Sequence, residues 1–205
     1  MFKIYDGFLK MKDEDATMYI ILSYLCQEGE TYITTSLLTY YMYGAEEYDQ
    51  SKKDRTRKIF TSFIHNYIGA TKLKDSVYLI NKTNLNGQYY CYLNWKDVIK
   101  VLRSNAKNKF AIIKYMGTVA LSFNKTKKEL FGYMPREYFA KMLNKTITSI
   151  SAYTNKLRDI GVLYVFQRAK HTNIYCFNYG LDSVKAYLDK KTEEVDYSDL
   201  DNLFT

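Results

Sequence analysis

Apolar residues recur every three or four positions along several stretches of the chain, and shorter stretches between them are dominated by β-branched and aromatic residues. Met18, Ile21, Leu22 and Leu25 follow the helical spacing behind Asp13, which has the chemistry of an N-cap, and Gly29 ends the run. Tyr32 and Ile33 predict a short extended piece. Thr34 or Thr35 then caps a second helix through Leu37, Leu38 and Tyr41 that stops at Gly44. After a polar loop at 46–50, Ser51-x-x-Asp54 has capping-box spacing, and Ile59, Phe60, Phe63, Ile64 and Tyr67 give a third helix one apolar face before Gly69. Residues 76–85 and 88–93 read as strands on either side of Asn86-Gly87, a strong hairpin signal.

The same order returns further along. A connecting helix spans Trp95 to Arg103, with Trp95, Val98, Ile99 and Leu102 on one side, and residues 104–108 break it. Phe110, Ile113, Gly117, Ala120 and Leu121 mark the next helical face, and residues 129–133 read as extended. Pro135 suits the first position of a helix that runs to Leu143. Residues 146–160 then predict a third helix, with Ile147, Ile150, Leu157 and Ile160 inward and Gly161 just past its end. Residues 162–166 and 174–179 form a second hairpin around a polar tip at 167–173. The endings of the two hairpins are alike, Tyr90-Cys91-Tyr92-Leu93-Asn94-Trp95 and Tyr175-Cys176-Phe177-Asn178-Tyr179, at an offset of 85 residues. A period that long points to two copies of one small domain.

Charge separates the copies. Residues 1–94 hold 11 basic and 11 acidic side chains, residues 95–180 hold 16 and 4, and residues 181–205 hold 3 and 7, for a net of +8. A stretch at +12 repels itself unless it meets an anion, and a polyanion such as nucleic acid gains most from many dispersed cations. A plain solvated surface and an acidic membrane are the weaker readings, since no basic amphipathic helix with a strong apolar face stands out. The acidic segment 181–205 begins with amphipathic Val184, Tyr187 and Leu188 and reads as a solvating tail or a docking segment for a replication or transcription partner.

Helix, short strand, helix, helix and a two-stranded wing resemble the winged helix-turn-helix family of DNA-binding domains. The likeness is closest over 134–166, MPREYFAKMLNKTITSISAYTNKLRDIGVLYVF, and looser in the first copy. Tandem copies of this size look like plasmid replication initiators and phage replisome-organising proteins, and also like some transcription regulators. The resemblance implies an α+β, mainly helical fold: a winged-helix domain over 1–94, a connecting helix and second winged helix over 95–180, and an acidic tail. It also implies double-stranded DNA as partner, with the third helix of the second copy in the major groove. On that helix Thr148, Ser149, Ala152, Asn155 and Lys156 face outward, with Lys145 and Thr146 at its start. Asn suits adenine, hydroxyls suit either base partner, and an Ala methyl suits a thymine methyl. Arg168, Lys170 and His171 on the wing, together with Arg136, Lys141, Lys125, Lys127 and Lys128, are candidate phosphate contacts. In the first copy Arg55, Arg57, Lys58, Ser62 and Asn66 occupy the matching helix, either on a second half-site or on a domain whose neutrality favours a homodimer.

Other classes find less support. There is no Gly-rich phosphate loop, no GxSxG, no HExxH, and only His65 and His171 to serve acid–base or metal chemistry, so neither catalysis nor a cofactor nor a metal is expected. An RNA-binding module lacks an RNP1-like run, and a protein–protein interaction module leaves the basic stretch unexplained. Cys26, Cys91 and Cys176 are widely spaced among apolar neighbours and read as reduced core residues. With no apolar run near the roughly 18 residues of a membrane span, and no leader-like start, a cytoplasmic protein is expected.

Overall fold

In the computed structural model, residues 1–45, 48–74, 76–85, 87–123, 130–168 and 172–190 are described. Alternation at the start of the chain, with Phe2 and Ile4 buried and Lys3 and Tyr5 half-buried, makes strand β1 (Phe2–Tyr5). A 3₁₀ turn (Asp6–Lys10) leads to α1 (Asp13–Leu25), followed by β2 (Glu30–Thr34), α2 (Thr35–Tyr43), α3 (Gln50–Tyr67), β3 (Thr71–Lys74) and β4 (Val77–Asn81). After a second 3₁₀ turn (Lys82–Leu85) come β5 (Tyr90–Leu93), α4 (Trp95–Arg103) and α5 (Lys109–Leu121). The remainder is β6 (Phe131–Gly132), α6 (Arg136–Leu143), α7 (Ile147–Asp159), β7 (Leu163–Phe166), β8 (Ile174–Phe177), a 3₁₀ turn (Asn178–Gly180) and α8 (Leu181–Asp189). The protein is α+β and mainly helical, as expected. Two compact units divide within α5, at Lys114/Tyr115.

In the first unit β4 lies between β2 and β3 in an antiparallel sheet, and β1 pairs separately with β5. This corrects the hairpin expected at Asn86-Gly87. The tight turn falls instead between Lys74 and Val77, where Ser76 sits at φ +66°, and β5 stays out of that sheet and pairs with the start of the chain. Gly87 lies against the side chains of Asp6 and Tyr5, where a β-carbon has no room, and the Asp6 N–H donates to the Tyr89 carbonyl at 2.9 Å. The glycine therefore serves the β1–β5 pairing rather than a two-residue turn.

Capping explains where the helices begin. Thr34 Oγ1 accepts from the Leu37 N–H at 3.1 Å, as expected for α2. For α3 the cap is Asp49, whose Oδ1 accepts from the Lys52 N–H and the Ser51 hydroxyl, both at 2.7 Å. The Ser51-x-x-Asp54 reading is thus corrected: Asp54 instead accepts from Gln50 at 3.0 Å. Lys12, not Asp13, occupies the N-cap of α1, and Asp13 lies in its first turn, where a carboxylate suits the helix dipole. The α4 helix is held in the first unit by its ends. Trp95 stacks on Tyr24 of α1 with ring centroids 4.1 Å apart and planes 3° from parallel, and Arg103 donates to the carbonyls of Tyr40 and Tyr41 at 2.8 and 3.1 Å. All three cysteines are buried free thiols.

The second unit repeats the first unit's order of helix, strand, helix, helix, strand, strand, and β8 again lies between β6 and β7. Pro135 precedes α6 as its N-cap rather than sitting inside it. Val184 and Leu188 of α8 are buried in one cluster with Phe131, Tyr164, Phe166, Ile174 and Cys176, and Tyr187 packs against it. The start of segment 181–205 is therefore part of the core, because its apolar residues cover the sheet; residues 191–205 lie outside the described residues. Gly180, where the chain turns into α8, comes so close to the Leu130 carbonyl that a side chain has no space there.

Candidate nucleic-acid interface

The inner side of α7 fixes what its outer side can present. Ile150, Tyr153, Thr154 and Leu157 are buried at positions three and four apart. The hydroxyls of Tyr115 and Thr154 share a buried hydrogen bond of 2.8 Å, and Thr154 also donates to the Ile150 carbonyl at 2.8 Å. Burial raises the Tyr115 phenol well above its ordinary value, so it stays a hydroxyl. With the helix held in that rotation, Thr148, Ala152 and Asn155 form one exposed stripe, and Lys156 and Lys145 are half-buried beside it. Asp159 ends the stripe, and no acid precedes it on α7.

Two of the hydroxyls expected to meet bases are already engaged. Thr146 is the N-cap of α7, its Oγ1 accepting from the Ser149 N–H at 3.1 Å, and the two hydroxyls lie 2.9 Å apart. Ile147, expected inward, is instead 47% exposed, because the first helical turn projects beyond the buried stripe that begins at Ile150. It adds a branched apolar side chain to the polar surface, and a register count from Ile150, Tyr153 and Leu157 would have placed it near the edge.

The expected phosphate contacts divide in the same way. Lys141 of α6 is exposed. Arg136 is half-buried and braces the unit: one guanidinium nitrogen donates to Ser151 Oγ of α7 at 3.3 Å, and the group also hydrogen-bonds Tyr175 of β8, whose phenol burial pushes upward. It lines an open depression of about 470 Å³ with Glu137, Thr172 and Tyr175. Arg168 donates twice to the Thr172 carbonyl, at 3.0 and 2.7 Å, and so ties the chain after β7 to the chain before β8. Lys170 and His171, like Lys125, Lys127 and Lys128, lie outside the described residues.

On α3 of the first unit, Arg55 pairs with Glu14 of α1 and Arg57 pairs with Asp54 at 3.3 Å. The Glu14 carboxylate holds Arg55 further toward its charged form. Lys58, Ser62, His65 and Asn66 are exposed, and Asn66 donates to Ser62 Oγ at 3.1 Å. The arginines that looked available in the sequence thus already face acids on the folded surface, one of them 41 positions away.

Among the described residues no helix is long and apolar enough to cross a membrane. No protein-family model matches the chain, and no curated protein sequence matches it.

Proposed function

We propose that the chain binds double-stranded DNA, both units being winged helices, with α7 of the second unit in the major groove and the β7–β8 hairpin beside the phosphates. One observation carries this reading. The third helix of a helix–strand–helix–helix–hairpin unit presents Thr148, Ala152 and Asn155 in a row, flanked by lysines, in a stretch (115–180) with ten basic and three acidic residues. We further infer, from the tandem arrangement alone, a use in initiating or controlling replication of a plasmid or phage.

The test is anisotropy of a labelled random-sequence duplex with the full chain at several salt concentrations. Affinity falls on a log–log plot by about 0.9 for each phosphate neutralised. A slope of several is the expected result, reduced by about one in Lys145→Gln and again in Lys156→Gln. No duplex binding at low salt, or slopes unmoved by both substitutions, would overturn the reading. A site selected from a random pool that falls at promoters rather than at an origin would turn the use to transcription control.

A further inference from the structure

The β1–β5 ribbon belongs to neither the third helices nor the wings, and its two faces differ sharply. In the antiparallel register Phe2 opposes Leu93 and Ile4 opposes Cys91, and all four are buried. Lys3 opposes Tyr92 and Tyr5 opposes Tyr90, so the other face consists of three tyrosines and a lysine. Tyr92 is 46% exposed. Ring centroids are 6.2 Å apart between Tyr5 and Tyr90 and 5.8 Å between Tyr90 and Tyr92, with each pair turned edge to face. Lys3 Nζ lies 3.8 Å from the Tyr90 ring centre and 4.8 Å from that of Tyr5. A hydrogen bond to Tyr5 raises the Lys3 ammonium above its ordinary value, and among the described residues no carboxylate pairs with it.

We propose that this face binds single-stranded nucleic acid, with a base stacking on the exposed Tyr92 ring and a phosphate meeting Lys3, whose ammonium lies over the Tyr5 and Tyr90 rings. A row of rings joined to a cation without an acid partner is what an unpaired strand requires, because every base has a ring face and every link a negative charge. Duplex DNA hides its base faces and gains nothing from the rings. A proline-rich segment would also lie on aromatic rings, but it offers no anion to Lys3. The site is independent of the α7 reading and stands or falls apart from it.

The experiment uses the full chain and labelled oligo(dT) of about 12 nucleotides. Tyr92→Thr keeps strand propensity at an exposed position and should weaken oligo(dT) binding on the order of tenfold, while duplex affinity stays as in the parent chain. Lys3→Gln should weaken it as well and lower the salt slope by about 0.7. Photo-cross-links from iodouracil placed in the oligonucleotide should map to β1 and β5. Melting temperatures check that each variant is folded, and if Lys3→Gln fails that check, Tyr92→Thr and the cross-links decide. Absence of oligo(dT) binding, a Tyr92→Thr variant that binds like the parent, cross-links elsewhere, or binding of oligoproline in place of oligo(dT) would each overturn the proposal.

Discussion

Tyr115 and Thr154 set the rotation of α7, and the two partners of their shared hydrogen bond are not equivalent. In Tyr115→Phe, Thr154 still donates to the Ile150 carbonyl, so the loss is one neutral hydrogen bond, about 1 kcal/mol. In Thr154→Val, the Tyr115 hydroxyl stays buried without that partner, and the expected cost rises to about 2 kcal/mol. Denaturant unfolding of the two variants should rank them in that order. Single residues were also where the sequence was least legible. Local spacing correctly turned Thr148, Ala152 and Asn155 outward, but it had no means of pairing Arg55 with Glu14, since ion pairs between distant positions exist only once the helices have packed. Ile147 was misread for a related reason: helical spacing alone does not say where along a helix the neighbouring core stops.

Whole elements were easier to read, with two instructive exceptions. The positions of α1, α2, α3, α4, α6 and α7 follow from apolar spacing, and those of α2, α3, α4 and α7 also from capping side chains; both signals are local. Asn86-Gly87 misled because a hairpin signal is also local, whereas β5 finds its partner at the far end of the first unit. The other exception is α8, the amphipathic start of segment 181–205, whose net charge of −4 suggested solvent. Three apolar side chains outweigh that charge by covering the sheet, and Leu188 is 3% exposed. Leu188→Ala should therefore lower stability by about 2–5 kcal/mol, read as a drop in denaturation midpoint. A helix lying free in solvent would show almost no change. The internal repeat was legible as an order of elements but not in its spacing. The structure relates α1 to α5 at 96 residues, Asp13 to Lys109, rather than at the 85 suggested by the tyrosine-rich strands. Those strands are not equivalents: β8 is the middle strand of its sheet, whereas β5 belongs to the ribbon.

Across the whole molecule, 22 tyrosines make alkaline pH the informative variable. Burial raises Tyr19, Tyr115 and Tyr175 above their ordinary value in the folded chain. The unfolded chain releases the same protons near pH 10. Below that, the folded state keeps its full advantage. As pH rises beyond it, the unfolded state is favoured, and stability declines progressively. Unfolding free energy should thus be level with respect to these groups from neutral pH to about 9 and fall above about 10; exposed tyrosines such as Tyr32 and Tyr89 ionise in the folded chain, and the last share of the tyrosinate absorbance should appear together with loss of helix. Full tyrosinate absorbance from all 22 tyrosines in a chain whose helix signal persists would show that Tyr19, Tyr115 and Tyr175 are more open to water than their burial implies.

Gly180 and Gly161 impose different rules on the variation this chain can accept. At Gly161 the backbone is left-handed, φ +64°, with open space around the position. Asn or Asp can adopt that torsion at modest cost, so a library scored for folded protein should return both. At Gly180 the torsion is ordinary, and the Leu130 backbone leaves no volume for any side chain. That position should return glycine alone, and the contrast between the two mutational spectra would measure torsional restriction against steric restriction within one domain.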